Sequence, residues 1–353
     1  MKPKGAAQTT TVPADRRADR QSSMLSSPEH RVPALLVNGS FFDVLPQVRR
    51  LLDDAGLEVI THPEYFALSD SQRRDMLATV QVVFGPGPFS PADQECAPCL
   101  KVISLAASGY ESVDVDAATE RGIVVTNAPT QLGTESVADL TFGLILDVAR
   151  GISQADQRLK SGIWLRPPGA LVWNKTLGIV GFGRIGRAVA ERARGFNMTV
   201  ITRQHHSGSP LARTLGVQCV PLDELLERSD FVSLHVRYNA ETHHLIGRAQ
   251  LRMMKPGAYL INTSRADVVD PVALTEALAN GWIAGAGLDV FAGEPDPSNP
   301  VLALPNVVAT PHIGNRTVEG VIDVVECSIR NAVAVLRGQR PEFLVNPSVY
   351  ERG

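Results

Sequence analysis

The stretch LGIVGFGRIGRAVAERARGF (Leu177–Phe196) decides the fold of the surrounding chain. The apolar run Leu177–Val180 predicts a buried strand, and Arg187–Phe196 carries apolar residues at helical spacing. Between them stand three glycines in the spacing GxGxxG: Gly181, Gly183 and Gly186. Between a strand and a helix, such glycines allow a tight turn and bring a pyrophosphate close to the free N–H groups of the helix N-terminus. The stretch therefore predicts a dinucleotide-binding loop.

Short apolar runs alternate with amphipathic segments on both sides of this loop. The runs that predict strands before it are Ala34–Val37, Leu57–Thr61, Val80–Phe84, Val102–Leu105 and Ile123–Thr126. Those from the loop region onward are Thr176–Val180, Met198–Thr202, Val217–Val220, Phe231–His235, Ala258–Asn262, Ala284–Val290 and Val307–Thr310. Because strands that alternate with helices build parallel sheets, the predicted fold class is α/β.

Predicted helices lie between these strands, among them Phe42–Ala55 and Val115–Arg121. Thr134–Lys160 is predicted as one long helix, well placed to link two domains or to pack against a second subunit. A final helix is predicted over Thr317–Arg337.

Length and charge limit the function classes. The chain has 353 residues, enough for about two domains of roughly 100–200 residues each. A net charge of −3 indicates neither a nucleic-acid surface nor an anionic membrane partner. No run approaches the ~18 apolar residues of a membrane-spanning helix.

Residues 1–32 differ in charge from the rest of the chain. They carry six basic and three acidic side chains, a net charge of +3 that leaves −6 for the remainder. Their polar composition predicts a disordered leader. A transit peptide is the alternative, against which Asp15 and Asp19 argue.

The four cysteines are too few for a disulfide framework in a chain of this length. Cys96 and Cys99 form a CxxC pair, but a structural zinc site needs a second pair of ligands, and Cys219 and Cys327 are isolated. We expect no metal site, and a reducing cytoplasm fits these thiols.

The region after the second strand of the glycine-loop unit bears on the choice of cofactor. An acid that binds the ribose 2′-hydroxyl is expected about 20 residues after the loop, but no Asp or Glu stands between Phe196 and Pro210. The strand ends instead in Arg203, followed by Gln204 and two histidines. An arginine can pair with a 2′-phosphate. NADP(H) is therefore the favoured cofactor, and NAD(H), bound by a tolerant loop, is the alternative.

Three polar residues each follow a predicted strand: Arg265, Glu294 and His312. The carboxyl ends of parallel strands line one edge of a sheet, where ligands bind, so we expect these residues to lie beside the glycine loop. His312 can supply a proton near neutral pH, and Glu294 can orient its ring and favour the imidazolium. Arg265 can hold a carboxylate through two hydrogen bonds and polarise a carbonyl. His235 also ends a strand and is the rival base, although packing or a place near the cofactor is the favoured interpretation.

At these residues the chain resembles the D-isomer-specific 2-hydroxyacid dehydrogenase family, especially its glyoxylate/hydroxypyruvate reductase-like members. The matching segments are Ala106–Pro129, Thr134–Leu146, Gly178–Phe196, Leu260–Asp270, Gly285–Pro295 and Thr310–Gly314. The resemblance implies an oxidoreductase that interconverts a small 2-oxo acid and its D-2-hydroxy acid with a nicotinamide cofactor. It assigns Arg265 to substrate binding and polarisation, His312 to acid–base chemistry and Glu294 to partnering His312.

The resemblance also implies two Rossmann-like, doubly wound parallel-sheet domains. The dinucleotide-binding domain would span 131–314, and a discontinuous substrate domain would combine 33–130 with 315–347. The backbone at Ser108 and Gly109 would cradle the substrate carboxylate, and Asp289 would bind the nicotinamide carboxamide. The expected cofactor contacts are Gly181, Gly183, Arg184, Ile185, Gly186, Arg203, Thr263, Asp289 and Gly314. Members of the family are commonly dimers built on the long helix, so a homodimer is expected.

Three departures from the family pattern stand out. Ala266 takes the place of the glycine that usually follows the arginine, and the ribose-binding acid is absent. Arg237 replaces a usual proline, which puts the adenosine-side contacts in doubt.

Other functions stay open at this point. Corepressors of the same fold act as nucleotide-sensing binding modules and keep similar catalytic residues, but they typically carry a long C-terminal tail. Formate oxidation is disfavoured, because formate dehydrogenases of the family pair the histidine with Gln where this chain has Glu294. Phosphonate oxidation is compatible with the three residues. A 3-phosphoglycerate substrate is less attractive, because the loop Ala106–Ser112 offers no Lys or Arg for a phosphate.

Overall fold

The computed structural model describes residues 31–37, 45–62, 65–85, 88–203, 212 and 214–351. The leader predicted over 1–32 lies outside these residues except for its last two, and Val32 already opens the first strand. Within the described residues the chain forms two parallel β-sheets, with helices between successive strands.

The first sheet has five strands in the order β2-β1-β3-β4-β5. They are β1 (Val32–Leu36), β2 (Leu57–Thr61), β3 (Val82–Gly85), β4 (Val102–Leu105) and β5 (Val124–Thr126). The helices along this part are α1 (Pro46–Asp54), α2 (Asp70–Leu77), α3 (Pro91–Glu95) and α4 (Val115–Glu120). The helix predicted over Phe42–Ala55 therefore begins at Pro46 among the residues described, and residues 38–44 lie outside them.

The second sheet has seven strands in the order β12-β11-β10-β9-β6-β7-β8. They are β6 (Thr176–Val180), β7 (Thr199–Arg203), β8 (Gln218–Val220), β9 (Phe231–Leu234), β10 (Tyr259–Asn262), β11 (Gly285–Leu288) and β12 (Val307–Ala309). The helices between them are α7 (Arg184–Ala193), α8 (Leu222–Arg228), α9 (Arg248–Met253) and α10 (Pro271–Ala279). The strand order reverses between β6 and β9, and such a reversal opens the crevice in which doubly wound sheets bind ligands.

Two helices join the sheets, α5 (Gln131–Arg150) and α6 (Ile152–Lys160). The prediction of one continuous helix over Thr134–Lys160 was wrong. Gly151 adopts a left-handed backbone conformation with φ of 61°, and its N–H donates to the carbonyl of Asp147. A left-handed glycine ends the first helix and turns the chain before the second begins.

The last helix, α11 (Val318–Leu336), returns to the first sheet. Val324 and Val325 pack in the same core cluster as Leu36 and Phe84. The hydroxyl of Ser104 on β4 donates to the carbonyl of Ser328, at 2.8 Å, so the buried polar atoms of this contact are satisfied.

The α/β fold with two doubly wound parallel sheets is confirmed, and the domain limits as numbered remain a prediction. No helix among the described residues is long and apolar enough to cross a membrane.

Candidate active site

The carboxyl-terminal edge of the second sheet carries a polar group after each of five neighbouring strands. In spatial order, β12 is followed by His312, β11 by Asp289 and Glu294, β10 by Arg265, β9 by His235 and Arg237, and β6 by the glycine loop. Because these strands are parallel, residues far apart in sequence meet along a single edge. The expected convergence of the three polar residues and the glycine loop on this edge follows from that topology.

The glycine loop has the shape that a pyrophosphate needs. Gly181 has φ of +103°, and a Cβ there would lie 2.5 Å from the carbonyl oxygen of His235. A Cβ on Gly186 would collide with the carbonyl oxygen of Gly181. At Gly183, by contrast, no atom lies within 4 Å of the Cβ position, and this residue precedes α7 without a side-chain cap. The N-terminus of α7 thus has open space beside Gly183 and no side-chain cap on its first N–H groups, so this loop fits a dinucleotide phosphate.

The other residues predicted to touch the cofactor occupy varied surroundings. Arg184 donates from Nη1 to the carbonyl of Pro129, at 2.8 Å, and so ties the glycine loop to the segment after β5. Thr263 is buried, with its hydroxyl 3.1 Å from that of Thr141 on α5. Ile185 packs partly buried in the core cluster that contains β6. Arg203 is the last residue of β7 and is partly buried, whereas Gln204 and the two histidines lie outside the described residues.

His312 and Glu294 form the pair expected from the sequence. The Nδ1 atom of His312 lies 2.9 Å from Oε2 of Glu294. The other oxygen of Glu294 accepts the N–H of Phe291 at 2.7 Å, so the carboxylate is fixed before it meets the ring. The His312 side chain is 54% exposed, which leaves Nε2 available to a molecule in the crevice. The pair is thus arranged to move a proton at Nε2.

Asp289 holds the loop that carries His312. One carboxylate oxygen accepts the hydroxyl of Thr310 at 2.6 Å and the N–H of Ile313 at 2.8 Å, and the other accepts the N–H of Gly314 at 2.9 Å. His312 itself has φ of +53°, a conformation that non-glycine residues adopt only where their surroundings enforce it. Burial raises the pKa of Asp289, an effect that these hydrogen bonds oppose. Asp289 and Gly314, both expected to touch the cofactor, are thus bonded to each other here.

Arg265 faces the loop after β4. Its Nη1 donates to the carbonyl of Ser264 at 2.8 Å, and its Nη2 lies 3.3 Å from Oε2 of Glu111. A Cβ on Gly109 would collide with Nη2 of Arg265, so the glycine backbone lies directly against the guanidinium. Ser108 is exposed beside it, and its carbonyl accepts from Asn127. The structure therefore brings Arg265 together with the Ser108–Gly109 backbone, as a carboxylate site requires.

His235 is placed very differently. Its Nε2 lies 2.8 Å from the hydroxyl of Ser233, while its Nδ1 is buried without a partner among the described residues. Burial lowers the pKa of His235 to about 3. The backbone carbonyl of His235 packs directly against Gly181 of the glycine loop. His235 thus supports the glycine loop from within and has no carboxylate partner among the described residues.

Two participants at this edge were missed by sequence reasoning. Glu111, the partner of Arg265, lies in the loop that the sequence identified only for its backbone. Arg237 was noted only as the replacement of a usual proline, and in the structure its Nη1 donates to the hydroxyl of Tyr110 at 3.0 Å. The signal in the sequence was that Arg237 and Arg265 each stand shortly after an apolar run. The structure pairs these strands in parallel, Leu234 with Asn262, so that the two arginines follow at equal offsets.

Comparison with known proteins agrees with this geometry. Residues 142–314 match the family model of the D-isomer specific 2-hydroxyacid dehydrogenase, NAD binding domain. A glyoxylate reductase of Thermococcus litoralis is 47% identical over 264 residues, which cover 72% of this chain and 80% of the relative. A glyoxylate/hydroxypyruvate reductase B of Pectobacterium carotovorum is 45% identical over 283 residues, covering 77% and 88%. The chain belongs to the D-isomer-specific 2-hydroxyacid dehydrogenase family.

Solved structures of family members superpose on nearly all of the chain. An NADPH-dependent glyoxylate/hydroxypyruvate reductase from Sinorhizobium meliloti, in complex with NADP and malonate, gives a TM-score of 0.75 at 30% identity, covering 90% of this chain and 97% of that one. The resemblance inferred from the sequence motifs is confirmed. The protein is an oxidoreductase whose second sheet corresponds to the NAD-binding domain of its family.

Proposed function

We propose that this dehydrogenase reduces a small 2-oxo acid, glyoxylate or hydroxypyruvate, to the D-2-hydroxy acid. The observation that carries the proposal is the meeting of a histidine–carboxylate pair and an arginine on one sheet edge. His312 lies 2.9 Å from Glu294, and Arg265 lies against the backbone of Gly109 on the facing loop. The relatives named glyoxylate reductase and glyoxylate/hydroxypyruvate reductase support the choice of substrate.

In the proposed mechanism the chain's own residues bind, polarise and protonate the substrate. Arg265, with the N–H groups around Gly109, binds the carboxylate and draws electron density from the 2-oxo oxygen. When bound, the reduced nicotinamide supplies the hydride that forms the new C–H bond at C2. His312 donates the proton from Nε2 to the carbonyl oxygen, and Glu294 holds the ring through Nδ1 and stabilises the protonated form. In the oxidative direction His312 accepts the hydroxyl proton.

Before the substrate binds, Glu111 occupies one side of Arg265. The separation of 3.3 Å between Nη2 and Oε2 corresponds to a long, partly exposed contact. A substrate carboxylate that offers two oxygens to the guanidinium makes shorter, charge-assisted hydrogen bonds. We therefore expect Glu111 to release Arg265 when the substrate binds.

We also propose NADP(H) as the favoured cofactor, with NAD(H) accepted more weakly. Arg203 ends β7, the strand next to β6 at the switch point, and an arginine at this place can pair with a 2′-phosphate. The Sinorhizobium meliloti relative is described as NADPH-dependent. A charge-assisted contact contributes roughly 1.5–3 kcal/mol, discounted here because Arg203 is partly exposed, which corresponds to about a tenfold preference.

A homodimer is proposed from the exposed apolar surface of α6 and the segment after it. The exposed large side chains of this region are Ile152, Leu159, Ile163, Trp164, Leu165, Leu171 and Trp173, with Trp164 80% exposed. A contiguous stretch of this kind marks an interaction surface, and a second copy of the chain is the occupant we propose.

The four cysteines are all free thiols, which supports a cytoplasmic location.

Turnover with a panel of 2-oxo acids and both cofactors tests the function. We expect glyoxylate and hydroxypyruvate to give higher kcat/KM than phenylpyruvate, and NADPH to exceed NADH about tenfold. The variant Arg203→Ala should lose the NADPH advantage and keep its activity with NADH. Binding of NADPH without reduction of any 2-oxo acid would point instead to a nucleotide-sensing module and would reject the enzymatic proposal.

A further inference from the structure

Two arginines follow neighbouring strands at the edge where the substrate is proposed to bind. Leu234 at the end of β9 pairs in register with Asn262 at the end of β10, and Arg237 and Arg265 follow these residues at the same offset. Their guanidinium groups reach consecutive residues of one loop. Arg237 contacts Tyr110, and Arg265 contacts Glu111. The crevice between the two sheets therefore presents two cations to the same short segment.

The charges of these two arginines are balanced differently. Arg265 has the carboxylate of Glu111 as its partner, at 3.3 Å. Among the described residues, Arg237 has no carboxylate within salt-bridge distance. Its guanidinium lies 5.2 Å from the ring centre of Tyr110 and donates from Nη1 to the hydroxyl. One carboxylate bound at Arg265 would leave the charge of Arg237 uncompensated.

Tyr110 adds a second donor at the same point. Its hydroxyl oxygen accepts the hydrogen bond from Arg237, so the hydroxyl proton stays free for another acceptor. Arg237 uses one of its five N–H donors in this contact, and its exposed position leaves the others open to the crevice. A guanidinium beside a phenolic O–H is a suitable site for a carboxylate or phosphate oxygen.

We propose that Arg237 and Tyr110 form a second anion subsite beside Arg265, which selects 2-oxo acids that carry a distal carboxylate or phosphate. This inference rests on the proposed function, since it places the 2-oxo carboxylate on Arg265. It also supplies the cation for a distal anion that the loop Ala106–Ser112 itself lacks. The subsite thus extends the proposed substrates to dianionic 2-oxo acids, which it favours over monoanionic ones of the same length.

Matched pairs of substrates test the subsite. Oxaloacetate carries a terminal carboxylate where 2-oxobutyrate carries a methyl group. In the second pair, 3-phosphohydroxypyruvate carries a phosphate on the hydroxyl group of hydroxypyruvate. For each pair the ratio of kcat/KM, dianion over monoanion, is measured in the wild type and in Arg237→Met. We expect a wild-type ratio above one for at least one pair, and a fall of about tenfold in Arg237→Met for that pair. The pair that responds identifies carboxylate or phosphate as the distal group.

Two further variants separate charge from shape. Arg237→Lys keeps the charge and should retain most of the dianion preference, whereas Tyr110→Phe removes the hydroxyl donor and should lower the ratio about threefold. The subsite is overturned if the wild type does not favour the dianion in either pair, or if Arg237→Met changes both members of a pair equally. It is also overturned if the variant raises only the KM for NADPH, because Arg237 would then serve the cofactor. Absence of activity on every 2-oxo acid, glyoxylate included, would reject the proposed function instead.

Discussion

His312 and His235 follow two strands of the same sheet, yet their surroundings give them opposite chemistry. His312 comes after β12, is half exposed and bonds to a carboxylate through Nδ1. His235 comes after β9, has an Nδ1 buried without a partner among the described residues, and bonds through Nε2 to the hydroxyl of Ser233. Burial lowers the pKa of His235 to about 3, so this ring stays neutral at physiological pH.

A position at the sheet edge does not by itself suit a histidine to proton transfer. A histidine that exchanges a proton with substrate needs an open nitrogen and a partner for its charged form. Glu294 and the exposed face of His312 meet both conditions. His235 meets neither, and its backbone is committed to Gly181 in the glycine loop. These surroundings support the proposed acid–base role of His312, whereas the backbone of His235 packs against the glycine loop.

The largest expected effect is that of His312→Asn. Loss of the proton donor should lower kcat by roughly 10²–10⁴, the usual contribution of general acid–base catalysis. The glycine loop is untouched, so the Kd for NADPH, measured by fluorescence titration, should stay within about twofold. His235→Asn is the matched control, and we expect it to affect the Kd for NADPH more than kcat. The reverse pattern, with wild-type kcat in His312→Asn, would transfer the role to His235.

Arg265 follows β10, which lies between the two strands that precede these histidines, and Arg265→Lys tests its proposed role in binding the substrate. Lysine keeps the charge but loses the planar pair of donors, so KM should rise and kcat should fall. The combined loss in kcat/KM is expected to be on the order of a hundredfold, the upper range for charge-assisted hydrogen bonds. Steady-state kinetics with glyoxylate measure both constants. Wild-type constants in this variant would remove Arg265 from the substrate site.

Glu294→Gln sharpens the comparison by giving His312 a neutral partner. The amide oxygen can still accept from Nδ1, so the ring keeps its orientation, but the charged form of the ring loses its anionic partner. We expect kcat to fall by about tenfold, a modest value because the pair is partly exposed. Glu276→Gln, remote on α10, is the matched control and should keep wild-type kcat. A kcat equal to the wild type in Glu294→Gln would mean that the carboxylate only positions the ring.

The sequence was sufficient for the sheets and for the sheet edge because both depend on local patterns. Buried parallel strands are nearly continuous apolar runs, and each polar residue stands directly after its run. The break at Gly151 was missed, since an apolar spacing that continues past a glycine does not reveal a left-handed backbone. The local sequence around it, Arg150 followed by glycine, was nevertheless compatible with a helix end.

The contacts between the second sheet and the loop after β4 could not be predicted from the sequence. Arg265 and Glu111 are 154 residues apart, and Arg237 and Tyr110 are 127 apart. Their pairing depends on how the loop after β4 is placed against the second sheet, which no periodicity encodes. The hydrogen bond from the N–H of Ile313 to Asp289 is of the same kind, because the two residues are 24 apart in sequence.

The smallest expected effect concerns the pH dependence of stability, and it tests the enclosed state of His235. Its pKa is about 3 in the folded protein and 6.5 when unperturbed, so the unfolded chain binds a proton below about pH 6.5 that the folded chain does not. The free energy of unfolding is therefore lost as the pH falls from about 6.5 towards 3, by at most about 1.4 kcal/mol per pH unit from this group. His235→Gln has no such proton to bind. In urea unfolding at pH 7, 6 and 5, its stability should decline less steeply than that of the wild type. His243→Gln, at an exposed histidine, is the control and should follow the wild type. Identical slopes in wild type and His235→Gln would mean that folding does not lower the pKa of His235, and the enclosed state of this ring would be rejected.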